Sequence, residues 1–240
     1  MQQRLDKLIS SQGSYSRKDA QQLIKDGRVR VDGIQVRDRG AHIDPDTAKV
    51  EIDGKTFSLE KFVYLMLNKP KGVVSATNDR SQKTVVDLAP DEYKGRNLFP
   101  AGRLDMTTTG FVLLTDDGDF AHRILSPKNH IEKTYEARLA EAVTDEQLRT
   151  VADGIVLGDG TECLPAKLRI LEGGDNPLVE IKIYEGKYHQ IKRMFAAAGN
   201  GVVELKRTKM GGLELDSELP EGFCRKLTET EVKLVEFSEN

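Results

Sequence analysis

The sequence predicts an α+β fold in two parts: two short helices and a small sheet over residues 1–60, then a mainly antiparallel sheet with packed helices over residues 61–240. Three observations predict it. The first 60 residues switch from helical apolar spacing to alternation around Asp-Gly dipeptides. Beyond Phe62, short apolar runs recur between turn residues. The charge divides as well: residues 1–40 carry nine Lys or Arg against five Asp, whereas residues 41–240 carry 27 against 34, so a basic head precedes an acidic body.

The elements follow in order. Leu5, Leu8 and Ile9 lie at helical spacing, and Gly13 is placed to end that helix. Ser16 with Asp19 three residues on reads as a capping box for a second helix, whose apolar stripe is Ala20, Leu23 and Ile24 and which Gly27 stops. Val29, Val31, Ile34 and Val36 flank Asp32-Gly33 as a tight hairpin, and Val50 and Ile52 before Asp53-Gly54 open another. The texture changes at residues 57–62, where the domain boundary is expected. FVYLMLNKPKG then reads as a strand and turn, and strands follow at 111–115, 134–139, 167–171, 178–184 and 202–206. Helices are expected at 147–152 and 190–198.

Several function classes are excluded by composition. At 38% hydrophobic and 31% charged residues, with 21 Gly and 8 Pro among 240, the chain is neither collagen-like nor disordered. No apolar run approaches the roughly 20 residues of a membrane span, and the start MQQRLDKLISSQG offers no signal-peptide core, so a cytoplasmic protein is expected. Cys163 and Cys224 stand apart without neighbouring ligands, and the four His are scattered, which favours structural thiols over a metal site.

One segment breaks the routine patterns. In Gly102-Arg103-Leu104-Asp105-Met106-Thr107-Thr108-Thr109-Gly110 a charged pair and three threonines sit between glycines, just before an apolar strand. Local chemistry leaves two readings: Asp105 is a carboxylate kept ionised for catalysis, or it caps a turn.

Arg4-Leu5-Asp6-Lys7, Ser16-Arg17 and Gly27-Arg28-Val29-Arg30-Val31-Asp32-Gly33 resemble the S4 RNA-binding domain. That resemblance implies RNA contacts for Arg4, Arg17, Lys18, Lys25, Arg28 and Arg30, each of which would otherwise pass as a solvated surface charge. GRLDMTTTGFVLLTDDG resembles the catalytic motif of the pseudouridine synthases, with Asp105 on the catalytic aspartate. Glu132-Lys133-Thr134-Tyr135 resembles the family's K-x-Y motif and gives Tyr135 a place against the target base. EGKYHQIKRMFAAAGN resembles the segment supplying a basic partner to the aspartate, Lys192, and an apolar residue beneath it, Ile191. Lys69-Pro70-Lys71-Gly72 matches the opening N-K-P-x-G.

The resemblance covers essentially the whole chain: 1–60 as S4 domain and 61–240 as catalytic domain. It implies base flipping and an aspartate-dependent break and re-formation of the glycosidic link, with no cofactor and no metal. Arg103, His189 and Arg193 are expected to contact substrate. Lys192 within K-Y-H-Q-I-K-R-M-F is most similar to the branch modifying small-subunit 16S rRNA (RsuA type), whereas relatives acting on 23S rRNA more often carry N-R-Q-I-R-R-M. Ribosomal RNA or an assembling small subunit is the implied partner, and a monomer is expected. Phe111, where the family usually has Leu, and Lys192, where Arg is commoner, are departures. A 23S rRNA enzyme and a non-catalytic RNA-binding assembly protein are the alternatives.

Overall fold

The computed structural model describes residues 2–237. The chain divides into two compact units, one running to Val63 and including Ala89–Leu98, the other made of Tyr64–Leu88 and everything from Phe99.

In the first unit, β1 (Gln3–Arg4) pairs with β4 (His42–Ile43) beside α1 (Leu5–Ser11) and α2 (Arg17–Lys25). The Ser16 hydroxyl accepts from the Asp19 amide while the Asp19 carboxylate accepts from the Ser16 amide, the expected capping box. A sheet in the order β3-β2-β5-β6 follows, from β2 (Val29–Val31), β3 (Ile34–Val36), β5 (Val50–Ile52) and β6 (Lys55–Phe57). Its two hairpins turn at Asp32-Gly33 (φ 51° and 80°) and Asp53-Gly54 (φ 53° and 76°), the two left-handed positions of a tight turn. Leu5, Leu8, Ile9, Leu23 and Ile24 close the core against Val29, Val50 and Ile52.

Residues 89–98 were expected with the second part, yet they pack with the first. The Arg96 guanidinium donates to Gln12 Oε1 (2.9 Å) and to the carbonyls of Glu60 (3.2 Å) and Lys61 (3.0 Å). Gly95 makes the approach possible, because a Cβ there would lie 2.4 Å from the Gly13 carbonyl oxygen.

The second unit is built on nine strands. Along the sheet run β11 (Lys167–Glu172), β12 (Leu178–Ile183), β10 (Lys133–Leu139), β13 (Val202–Met210), β9 (Thr109–Thr115), β7 (Tyr64–Lys69) and β15 (Cys224–Lys226). Off this path, β8 (Phe99–Ala101) pairs with β9 and β14 (Leu213–Glu214) with β13. Every neighbouring pair is antiparallel except β9 and β13. The expected helices are α4 (Asp145–Ala152) and α5 (Gln190–Ala197); two more, α3 (Gly118–Leu125) and α6 (Glu229–Glu236), were not anticipated. Both unanticipated helices contribute to one core, in which Phe120, Ile124 and Val235 pack with Met66, Phe111 and Leu113. Both cysteines are free, and burial pushes the Cys224 thiol up to about 12, which keeps it protonated.

Candidate active site

Two glycines set the loop that carries Asp105. Gly102 (φ +98°) ends β8, and a Cβ there would meet Leu125 Cδ2 at 3.1 Å. Gly110 (φ +97°) starts the parallel pairing of β9 with β13, where a Cβ would lie within 2.2 Å of the Arg207 carbonyl oxygen. Between them the backbone is pinned on several sides. Ser75 Oγ donates to the Leu104 carbonyl (2.8 Å) and accepts from the Leu104 amide (3.0 Å). The Gly72 amide donates to the Met106 carbonyl (2.8 Å).

Lys69, fully buried at the end of β7, is the strongest of these anchors. Its ammonium donates to the carbonyls of Pro70 (3.1 Å), Asp105 (3.1 Å) and Thr108 (2.9 Å). Burial lowers its pKa to about 8; the Asp105 charge works the other way and the Lys192 charge adds to the lowering. Lys69 therefore feels the Asp105 loop both through hydrogen bonds and through its field.

With the backbone so held, the Asp105 carboxylate points into a small cavity of about 60 Å³ lined by Arg103, Tyr135, His189 and Ile191 among others. Tyr135 on β10 and Ile191 in the first turn of α5 are both buried there. His189, just before α5, sits in the left-handed region (φ 49°), and its Nε2 comes to 3.3 Å from Asp105 Oδ1. The structure thus brings Arg103, Asp105, Tyr135, His189 and Ile191 to one opening.

Two expected residues stand elsewhere. Lys192 does not pair with Asp105: its ammonium donates to Thr107 Oγ1 (2.6 Å), two residues further along the loop. Arg193 is drawn to Asp159 (2.6 Å) and to the Tyr188 carbonyl (3.3 Å), so it braces the loops around the cavity and does not line it. The reason is local. The left-handed turn at His189 puts the imidazole on the carboxylate and carries Lys192 and Arg193 past it on the first helical turn.

Lys69 and Thr107 lie in motifs that the sequence showed but were given no role there, and Ser75 was not singled out. A lysine ending an otherwise apolar strand was the available signal, since such a group is buried only when its ammonium has acceptors. Beside Tyr135 across the strands, Arg207 is buried with Nε on the Phe111 carbonyl (2.7 Å). Lys133, two residues before Tyr135 and also buried, is lowered to about 8 by burial and by the Arg207 charge.

The six candidate RNA contacts of the head fall into two sets. Asp6, fully buried, receives Arg4 Nη2 (2.9 Å), Arg17 Nε (3.3 Å) and Gln21 Nε2 (2.7 Å), and the Arg4 hydrogen bonds above all hold its carboxyl well below the ordinary range. Arg28 is paired with Asp53 (2.7 Å and 2.5 Å). Lys18, Lys25 and Arg30 are exposed, and none of them has a side-chain partner among the described residues.

A carboxylate held in a cavity beside an aromatic ring, on a chain that also carries a basic module, fits an enzyme that acts on RNA; among the described residues no group of three or more His, Cys, Asp or Glu is placed to hold a metal ion. The chain belongs to the RNA pseudouridylate synthase family, whose model matches residues 63–197, and residues 3–47 match the S4 domain. It is 46% identical to an uncharacterised RNA pseudouridine synthase of Bacillus subtilis (strain 168), covering 97% of this chain and 98% of that one. It is 43% identical to the ribosomal small subunit pseudouridine synthase A of Escherichia coli (strain K12), covering 97% and 99%. A crystal structure of a pseudouridylate synthase matches with a TM-score of 0.67 and 41% identity, over 97% of this chain and 99% of that one. The protein is an RNA pseudouridine synthase.

Proposed function

We propose that the enzyme converts one uridine of small-subunit ribosomal RNA, free or in an assembling subunit, to pseudouridine, with Asp105 as the catalytic carboxylate. The observation that carries this reading is the placement of Asp105 in the cavity with Tyr135 and Ile191. The likeness over nearly the full length to small-subunit enzymes supports the substrate.

The reaction breaks the C1′–N1 bond, turns the uracil and joins C5 to C1′; the C5 proton leaves to solvent and N1 ends protonated. Atoms and electrons balance without a redox partner. Addition of the carboxylate to C1′ and removal of a sugar proton both need Asp105 ionised and close to the sugar. The target atom is hidden in a stack, so the base must be flipped. A cavity of about 60 Å³ is about two water volumes, so its lining must part to admit the base. Tyr135 and Ile191 then supply flat apolar walls, while His189 holds the carboxylate toward the sugar.

Tritium release from 5-[³H]-uridine RNA tests the chemistry. Asp105→Asn should release none, at more than about a thousandfold below the parent, while RNA binding stays within about tenfold because the change is nearly isosteric. Normal release by this variant would overturn the assignment. Mapping pseudouridine in 16S and 23S rRNA from cells lacking the protein tests the substrate: a position lost from 23S rRNA alone would move the target, and no lost position would leave an RNA-binding role.

A further inference from the structure

The Tyr188 backbone carbonyl holds Arg193, but its ring has no part in the site so far. Tyr188 lies in the Glu185–His189 turn that leads into α5, and it is 72% exposed. Exposure of one apolar ring is ordinary; the way this ring is held is not. It lies on the His189 imidazole, centroids 3.9 Å apart and planes 16° apart, and that imidazole reaches Asp105. One face of the phenol is thus backed by a second ring, and the other is open.

The turn beneath is fixed by hydrogen bonds. Arg193 Nη1 donates to the Tyr188 carbonyl (3.3 Å) while its Nη2 is paired with Asp159 (2.6 Å). The Lys187 amide donates to Gln190 Oε1 (3.0 Å), and Gln190 Nε2 donates to Glu185 Oε1 (2.6 Å). His189 keeps a left-handed backbone that a side chain adopts only when its surroundings impose it. A flat ligand meeting this ring would find it already placed, so little ordering entropy opposes stacking.

The chemistry of the ligand follows from the reaction. A uridine flipped into the cavity stays joined to its neighbours, which must pass over the rim, and an unpaired base presents a π face to any aromatic ring. Arg103 lines the same opening and is exposed, so it offers a cation to the phosphates between those nucleotides, whereas the Lys187 ammonium is already on the Glu185 carboxylate (2.7 Å) and the Glu162 carbonyl. We propose that Tyr188 is a stacking subsite for the unpaired base next to the target uridine, with His189 as the second layer tying that stack to Asp105. This rests on the reading of the protein as a uridine-flipping pseudouridine synthase.

The experiment uses the full-length protein and an oligoribonucleotide spanning the mapped uridine, with 2-aminopurine on its 5′ or its 3′ side. Bound to Asp105→Asn protein, which holds the RNA without turnover, one of the two positions should be quenched, and adding Tyr188→Leu should abolish the quench. In otherwise unchanged enzyme, Tyr188→Leu should lose about five- to hundredfold in kcat/KM, the range for one base stack, with the larger part in KM. Tyr188→Phe should keep most of the rate. Because Tyr188 is exposed, neither change threatens folding. Quenching at neither position, or an unchanged KM, with an active parent overturns the subsite alone. A loss confined to kcat with a displaced pH–rate profile would make Tyr188 a brace for His189 and also overturn it. A parent that releases no tritium fails the enzymatic reading, independently of the subsite.

Discussion

In the basic head, carboxylates are used to hold cations: Asp6 gathers Arg4 and Arg17, and Asp53 takes Arg28. In the loop that carries Asp105 the arrangement is reversed. A buried cation, Lys69, puts its donors on backbone carbonyls, that of Asp105 among them, and the Asp105 carboxylate itself has, among the described residues, one charged side chain or imidazole against it, His189. A module that docks on phosphates benefits from guanidinium groups held in place. A reacting carboxylate benefits from a rigid backbone and an unencumbered side chain, since misplacement by about 1 Å can cost about a hundredfold in rate. An acid and a cation close in sequence therefore mean different things in the two halves.

The largest expected effect breaks the catalytic half of this contrast. Lys69→Met leaves the carbonyls of Asp105 and Thr108 without their donor, at about 1–3 kcal/mol for each orphaned group. The second unit should lose about 2–4 kcal/mol, a fall in melting temperature of roughly 4–16 °C at 2–4 °C per kcal/mol, and kcat should drop about a hundredfold with the displaced loop. Lys192→Met removes one hydrogen bond to an exposed threonine hydroxyl, so it should melt within about 0.5 kcal/mol of the parent and lose about tenfold in single-turnover rate. Equal damage from the two lysines, in melting and in rate, would mean that the backbone clamp is not what positions Asp105.

A smaller effect concerns a cation that neither half employs. Lys133 is buried and its pKa is lowered to about 8, so the folded protein penalises its charge. Between about pH 8 and the unfolded value near 10.4, the unfolded chain binds more protons at this site than the folded one. The site's contribution to stability therefore rises with pH across that window. Lys133→Met removes the penalty. It should stabilise the protein by about 1–3 kcal/mol at pH 7, and the advantage should fade as the pH approaches 10. Urea midpoints for both proteins at pH 7, 8.5 and 10 measure this, and a difference independent of pH would show that charge burial is not its source.

What the sequence conveyed differs between the halves for the same physical reasons. In the head, helices and hairpins are local: apolar spacing, a Ser-Asp capping box and two Asp-Gly turns decide them within a few residues, and all appear where expected. The pairing of β9 with β13 joins residues 109 and 206, and no local pattern encodes it. α3 was missed because it begins at Gly118, the last residue of the segment read as motif, so that Asp117, whose carboxylate caps the helix at the Phe120 amide, was taken as part of that motif and not as a helix start. The attachment of residues 89–98 to the first unit depends on two glycines in contact, Gly13 and Gly95, which are 82 positions apart in sequence. At the site, the resemblance to the pseudouridine synthases named Asp105, Tyr135 and Ile191, with His189 expected as a substrate contact and Lys192 as the partner of the carboxylate; the first four line one cavity and Lys192 does not. The resemblance could not name the carboxylate's neighbour, because a single left-handed residue, His189, decides which side chain of that segment faces the loop.

The finest distinction lies within the head, between cations held by a carboxylate and cations without one. Lys18, Lys25 and Arg30 are exposed and have no side-chain partner among the described residues, so each can meet a phosphate without first leaving a partner. Arg28 must be shared with or released from Asp53. Counterion release predicts that each phosphate contact to single-stranded or duplex RNA contributes about 0.7–0.9 to the slope of log K against log salt. Lys18→Gln, Lys25→Gln and Arg30→Gln together should flatten the slope by about two to three, and any one of them by somewhat less than one. Arg28→Gln should change it by less than any of the three, because Asp53 already offsets part of that charge in the free protein. Asp53→Asn makes the complementary test: freeing Arg28 should steepen the slope and tighten binding at low salt. Fluorescence anisotropy with the same ribosomal RNA fragment across a salt series measures all of these. If Arg28→Gln and Lys18→Gln flatten the slope equally while Asp53→Asn leaves it unchanged, the ion pair does not hold Arg28 back, and the head behaves as six equivalent charges.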